Sequence, residues 1–282
     1  ATRNRNSIQI KPSNNLDIVE LDLEDQSSVD ESCKGVNYII HLASLNYSEC
    51  TQNPLKAKSI NVLGTQKIMS AAIKHRVQKI IYFSTMHIYG ENLKGIVNEK
   101  TKPIPKNTYA STHLDAEHFI SSNAEKNNIE YLILRLSNVV ACPVSPFTKC
   151  WHLLVHDLCL QSIKQKEINL RTTGDQIRDF IDSENLTKVI ETFIRNTNLN
   201  GTYNYGSGKT SNIRKVAEII QNEYYKLYKL TPKISFGSQI EKKVEFTYDI
   251  NKLEKKFSYK INFNFNRVIK ALIIFCMSNF KE

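Results

Sequence analysis

Glycine is scarce in this 282-residue chain: there are nine, and the first is Gly35. A turn that cradles phosphate uses closely spaced glycines, so the first 34 residues contain no such turn. No apolar run reaches the roughly 18 residues that a bilayer-crossing helix needs. The nearest candidate, residues 268–277, carries Lys270 and reads as a packing helix. Cys-x-x-Cys pairs are absent among Cys33, Cys50, Cys142, Cys150, Cys159 and Cys276. A chain this long does not depend on disulfide staples, so reduced thiols and a cytoplasmic setting are expected. Runs of five or six basic residues are also missing. The net charge of +10 is interspersed with acids, as in residues 241–245, and reads as a solvated surface rather than a nucleic-acid arm. No secretory leader is visible. The first residue is Ala, so a removed segment stays open.

What is present is an alternation of apolar strand-like runs and helical patterns. Strands are expected at residues 16–23, 36–43, 78–84 and 130–137, then at 168–171 and 201–205. Helices are expected at 25–34, 53–75 (with Pro54 in the first turn), 108–126, 150–166 and 184–195. Near-continuous apolar strands separated by helices indicate an α/β fold with a mostly parallel, doubly wound sheet. Residues 1–138 read as a dinucleotide-binding domain. Residues 139–282 read mainly as a smaller substrate lobe, with about 184–206 rejoining the sheet. Ligands of such sheets sit at the C-terminal strand ends, where His41-Leu42-Ala43-Ser44, Ser84-Thr85 and Ser137-Asn138 fall.

A dinucleotide-binding sheet opens with a strand, a Gly-rich turn and a helix that holds the pyrophosphate. Here residues 1–7 read as the stretch after the second strand. A strand–turn–helix unit of roughly 30 residues is therefore missing from the sequence. The expectation is that the sequence is an excerpt of a longer protein. The alternative is a protein that has lost half of a cofactor site.

Tyr109-Ala-Ser-Thr-His113 carries the chemistry. Residues four apart on a helix share a face, so the phenol and the imidazole reach one site. The apolar run before them ends in the hydroxyls Ser84 and Thr85. Hydroxyl, phenol and neighbouring cation together move a proton on and off an alcohol oxygen. Cys150, His152, His156 and Cys159 partly share another helical face, the geometry of a zinc site, but Trp151, Leu154, Val155 and Leu158 form a competing apolar set. No metal is expected.

In order along the chain come Asp22-Leu23, His41-Leu42-Ala43-Ser44, Asn61-Val62-x-Gly64-Thr65, Ser84-Thr85-x-x-Ile88-Tyr89-Gly90, Tyr109, Leu134-Arg135-x-x-Asn138, Arg178-Asp179-Phe180 and Tyr203-Asn204-x-Gly206-Ser207-Gly208. This ordered set resembles the extended short-chain dehydrogenase/reductase superfamily, of Rossmann type. Within it, the set resembles the NAD-dependent epimerase/dehydratase group that acts on nucleotide sugars. The resemblance implies that Asp22 and Leu23 meet the adenine and that Leu42, Ala43 and Ser44 line the cofactor. It implies that Thr85 holds the reacting sugar oxygen, that Tyr109 exchanges its proton, and that Asn138 and Arg178 bind the diphosphate. Asn61 is expected to tie its helix to a neighbouring strand, and Asp179 to orient Arg178 or cap a turn.

The family places Lys four residues after Tyr, where it lowers the phenol pKa and holds the nicotinamide ribose. Here His113 stands there. A protonated imidazole would do similar work, whereas a neutral one would still bond a ribose hydroxyl. Met86 cannot transfer a proton, which disfavours 4,6-dehydration. His87 is either a substrate-side acid or base or a packed residue. Arg3 leans the cofactor choice between NAD and NADP toward NADP.

The function implied is hydride transfer between nicotinamide and a nucleotide-activated sugar, in epimerisation or in dehydrogenation and reduction, within surface polysaccharide synthesis. The alternative is a catalytically degenerate nucleotide-binding or interaction protein of the same fold. A further rival is a reductase of a non-sugar carbonyl. The resemblance also implies a homodimer through the helices at 53–75 and 108–126.

Overall fold

The computed structural model describes residues 1–4, 15–239 and 244–281. Its strands are β1 (Tyr38–His41), β2 (Lys79–Thr85), β3 (Gly95–Val97), β4 (Glu130–Leu136), β5 (Asn138–Val140), β6 (Glu167–Thr172), β7 (Ile177–Asp182), β8 (Gly201–Tyr205), β9 (Thr210–Asn212), β10 (Lys233–Gln239) and β11 (Phe246–Tyr248). Its helices are α1 (Gln26–Cys33), α2 (Tyr47–Gln52), α3 (Pro54–Ala57), α4 (Gly64–Lys74), α5 (Thr108–Lys126), α6 (Leu154–Lys164), α7 (Ser183–Arg195), α8 (Ile213–Tyr228), α9 (Asn251–Phe257) and α10 (Phe265–Phe280). The chain divides into two compact units. One comprises residues 1–91, 99–136 and 190–204, and the other comprises 92–98, 137–189 and 205–282.

The first unit is built on a sheet of order β1-β2-β4-β8. β1, β2 and β4 are parallel, with Ile39, Ile40 and His41 beside Ile80, Ile81 and Tyr82, and these in turn beside Tyr131, Leu132 and Ile133. β2 and the centre of β4 are apolar and largely buried, as strands covered on both faces must be. The α/β expectation therefore holds. Among the described residues β1 is an edge of this sheet, and Tyr38 and Ile40 are about two-fifths exposed.

Several elements depart from the sequence reading. Residues 16–23 do not form a strand. Among the described residues the contact there is one parallel bridge, Thr2 to Glu20, with Thr2 N donating to Val19 O at 3.0 Å and Leu21 N to Thr2 O at 2.8 Å. Residues 5–7, part of the expected stretch after a second strand, lie outside the described residues. The single helix expected over 53–75 is three pieces. Asn53 caps α3 through its side chain, Pro54 occupies the first turn, and a π-helical turn at Lys58–Leu63 separates α3 from α4. A further helix, α2, precedes it, fixed by a reciprocal capping box between Asn46 and Glu49. The helix expected from residue 150 begins instead at Leu154.

In the second unit β5 and β7 are parallel and β9 is antiparallel to β7. β6 pairs with β10 and β3 with β11, both parallel. α6, α8 and α10 pack together around Leu158, Val216, Ile220, Leu272 and Ile273, all essentially inaccessible to solvent. No helix among the described residues is long and apolar enough to cross a membrane.

Candidate active site around Tyr109

Thr85 is the last residue of β2, and Asn107 caps α5 by accepting from Ala110 N at 2.9 Å. That cap starts α5 so that Tyr109 lies in its first turn. A side-chain hydrogen bond links Tyr109 to Thr85. His113, one turn further on, sets its ring centroid 4.5 Å from that of Tyr109, edge to face at 68°. His87 and Tyr47 present their rings to Tyr109 at 6.2 and 6.4 Å. The three residues expected to carry the chemistry are thus together, with His87 beside them.

Buried groups behind Tyr109 were not assigned from the sequence. Tyr82 and His41 are ladder partners on adjacent parallel strands, so their side chains share a face, with centroids 5.3 Å apart. Tyr82 Oη lies 2.8 Å from His113 Nδ1, and His41 Nε2 lies 2.9 Å from Thr65 Oγ1. Tyr82 reads in sequence as one more apolar strand residue. The available signal was a His and a Tyr at the ends of neighbouring parallel strands, on the side of the helix that carries His113.

The electrostatics decide between the two states left open for His113. Burial depresses the His113 imidazole to about 3, and the nearby His41 and His87 depress it further. His113 is neutral at pH 7 and is not a replacement cation for Lys. Burial raises the Tyr109 phenol above its ordinary value, with the Thr85 hydrogen bond opposing that rise. Tyr109 therefore stands protonated at neutral pH.

Two buried polar atoms here lack partners: His113 Nε2 and Ser84 Oγ. Orphaned buried polar atoms are uncommon in folded proteins. Their position at the C-terminal end of β2 and on the facing helix fits the polar end of a cofactor.

A sequence profile of the NAD dependent epimerase/dehydratase family matches residues 1–206. The chain belongs to this family. It is 28% identical over 225 residues to a putative UDP-glucose 4-epimerase of Methanocaldococcus jannaschii, covering 79% of this chain and 71% of that one. It is 28% identical over 191 residues to the dTDP-D-glucose 4,6-dehydratase of Bos taurus, covering 66% and 52%. Several of these relatives are matched over only about half to two-thirds of their length. A solved UDP-N-acetylglucosamine 4-epimerase from Methanobrevibacter ruminantium M1, in complex with UDP-N-acetylmuramic acid, superposes with a TM-score of 0.81 at 23% identity. That superposition covers 95% of this chain and 84% of the other. RMD from Pseudomonas aeruginosa, complexed with NADPH, gives 0.80 at 19% identity, covering 92% and 88%. These likenesses establish the fold.

The remaining family positions divide. Leu42, Ala43 and Ser44 are exposed just beyond β1. Arg3 and Asp22 are also exposed, and Asp22 Oδ1 accepts from Glu24 N at 2.8 Å within its own turn. Leu23 is buried, with its Cβ 3.0 Å from where a side chain on Gly64 would begin, so it packs against that helix. Asn61 was expected to tie its helix to a strand and instead bonds a loop and a helix: Oδ1 accepts from Leu45 N at 2.8 Å, and Nδ2 donates to Thr112 Oγ1 at 3.0 Å. It ties the loop after β1 to α5.

In the second unit Asn138 Nδ2 donates to Asp179 O at 2.8 Å, and Arg178 Nη2 donates to Gln176 Oε1 at 2.9 Å. The Asp179 carboxylate accepts from Ser207 N at 2.9 Å and from Ser207 Oγ at 3.0 Å, capping the Gly206-Ser207-Gly208 turn. Burial pushes Asp179 up to about 6. His156 Nε2 is 2.9 Å from Ala141 O and Cys159 is buried in the core; no metal-holding group occurs among the described residues.

Proposed function

We propose that this chain binds a nicotinamide dinucleotide and a nucleotide-diphosphate sugar, and that Tyr109 exchanges a proton with the sugar oxygen at the carbon that gains or loses hydride. The observation that carries this reading is the Thr85–Tyr109 hydrogen bond with His113 one turn along the same helix. Family membership and the nucleotide-sugar enzymes among its relatives support it.

A bound nicotinamide would supply the hydride acceptor or donor. Ser84 Oγ and His113 Nε2 offer it unpaired polar partners, and Leu42, Ala43, Ser44, Asp22 and Arg3 would serve its dinucleotide portion. Thr85 holds the sugar oxygen. Tyr109, protonated at neutral pH, gives its proton to a carbonyl oxygen as that carbon is reduced. In the opposite direction the phenolate takes the proton of the alcohol. Because burial favours the protonated phenol, the form that enters the reductive half-reaction is the one populated at neutral pH. Asn138 and Arg178 would meet the diphosphate, a role suited to the planar guanidinium fork.

The setting we propose is cytoplasmic surface polysaccharide synthesis, by a homodimer joined through α4 and α5. A shallow hollow of about 370 Å³ lies along these helices, lined by Val62, Gln66, His118 and Phe119 among others. Sedimentation tests the dimer.

The test of function uses the full-length protein. Mass spectrometry of released ligand is expected to find a nicotinamide dinucleotide. Turnover of UDP- or dTDP-sugars is expected to vanish in Tyr109→Phe while the dinucleotide stays bound. If Tyr109→Phe turns over as fast as the wild type, the reading fails. A second reading, a non-catalytic nucleotide-binding protein, is favoured by the neutral His113. It predicts no turnover with any sugar nucleotide, and turnover appearing on His113→Lys.

A further inference from the structure

His113 and Tyr82 form a pair whose protons can be assigned by counting. Both side chains are buried, at 2% exposure each. Tyr82 Oη and His113 Nδ1 are 2.8 Å apart, and His113 Nε2 has no partner. Two neutral arrangements are possible. If the phenol O–H donates to Nδ1, the imidazole proton sits on Nε2, and one buried donor is left unpaired. If Nδ1–H donates to the phenol oxygen, the Tyr82 proton and the Nε2 lone pair both go unpaired. Each stranded buried group is costly, so the first arrangement is favoured. Burial also pushes the Tyr82 phenol well above its ordinary value, which keeps it a donor. The neighbouring titratable groups are His41, His87, Tyr109 and Glu117. Burial holds His41 down at about 4, and neither a phenol nor a carboxyl can become a cation.

We propose that Tyr82 is a positioning residue: its O–H fixes His113 as the Nε2–H tautomer, so that His113 offers a neutral hydrogen-bond donor at the position where the family carries a cationic Lys. Tyr82 reaches from β2 to α5 to do this, three residues before Thr85, which makes its own contact with Tyr109. The ligand this donor suits is an uncharged oxygen acceptor, such as a sugar or ribose hydroxyl, rather than a phosphate. That part rests on the reading above, in which a dinucleotide reaches this site.

The test is nitrogen NMR of protein labelled with ¹⁵N-histidine, with the His113 signals assigned by their loss in His113→Gln. At pH 7 the wild type is expected to show the Nε2–H pattern. Tyr82→Phe keeps the ring and removes only the donor. It is expected to shift His113 toward the Nδ1–H form or a mixture, and to weaken NADH and NADPH binding, followed by fluorescence, about three- to thirty-fold. A wild-type His113 that is Nδ1–H or doubly protonated at pH 7 overturns the proposal. So does a Tyr82→Phe protein with an unchanged tautomer. If the tautomer shifts but neither protein binds NADH or NADPH, Tyr82 positions His113 and the cofactor reading is what fails. The wild-type spectrum decides the assignment even if the variant folds poorly.

Discussion

Tyr109 and His113 stand edge to face on adjacent turns of α5 with ring centroids 4.5 Å apart, and neither is charged at neutral pH. A cation at residue 113 would pull the phenol pKa down. The neutral imidazole leaves burial in control.

Restoring the cation should therefore move the titration. In His113→Lys, an ammonium near Tyr109 is expected to lower the phenol pKa by roughly one to three units. The pH–rate profile for sugar-nucleotide oxidation should shift its ascending limb to lower pH by a similar amount. A profile that superposes on the wild type would mean that the phenol does not set that limb.

Acid should destabilise the first unit through its buried imidazoles. His41 is held down at about 4 and His113 at about 3, both by burial, against an ordinary value of about 6.5. The folded state therefore binds fewer protons than the unfolded chain below that value. Their contribution is complete above pH 6.5 and is lost as pH falls toward 4. Urea unfolding of His41→Asn between pH 4 and 7 is expected to show a flatter dependence than the wild type.

Asp179 has the opposite sign. Its folded value of about 6 exceeds the ordinary 3.8 because the carboxyl is buried. Stability from this group is greatest below the ordinary value and falls as pH rises from about 4 to about 6, by an amount on the order of 3 kcal/mol. Asp179→Asn should remove that fall and keep a hydrogen bond to Ser207 N. Equal pH slopes in wild type and variant would refute the assignment.

Gly206 is required by its neighbours rather than by its backbone angles. A Cβ there would lie 2.5 Å from Asp179 Oδ1, 2.7 Å from Tyr248 Cδ1 and 3.1 Å from Ser137 Oγ. Gly206→Ala is expected to destabilise by about 1–3 kcal/mol through overpacking, measured by denaturant midpoint. A neutral result would show that the Asp179–Ser207 contact is free to move.

The buried pair Arg135–Glu117 should tolerate loss of one partner poorly. Arg135 Nε and Nη2 donate to the Glu117 carboxylate at 2.7–3.1 Å, and Arg135 Nη1 donates to Tyr89 Oη at 2.8 Å, which in turn donates to Asn204 Oδ1 at 2.7 Å. Glu117→Ala would remove the carboxylate that balances a buried guanidinium, and a loss of about 3–5 kcal/mol is expected in chemical denaturation. This chain of contacts joins the segments Ile88-Tyr89-Gly90, Leu134-Arg135 and Tyr203-Asn204.

The sequence alone determined the α/β class, the parallel apolar strands, and the cluster of Thr85, Tyr109 and His113. Apolar runs become covered strands, and residues four apart on a helix share a face, which puts His113 beside Tyr109; Thr85 joined them through the family resemblance. It misjudged residues 16–23, where apolar spacing resembles a strand but a strand also needs a partner, and only a single bridge to Thr2 is described. It could not see the π turn that breaks residues 53–75. The protonation of His113 was a tertiary matter throughout. Residue type leaves an imidazole free to be charged or neutral near pH 7, and only its burial against Tyr82 and His41, contributed by two other strands, makes it neutral and sets which nitrogen holds the proton.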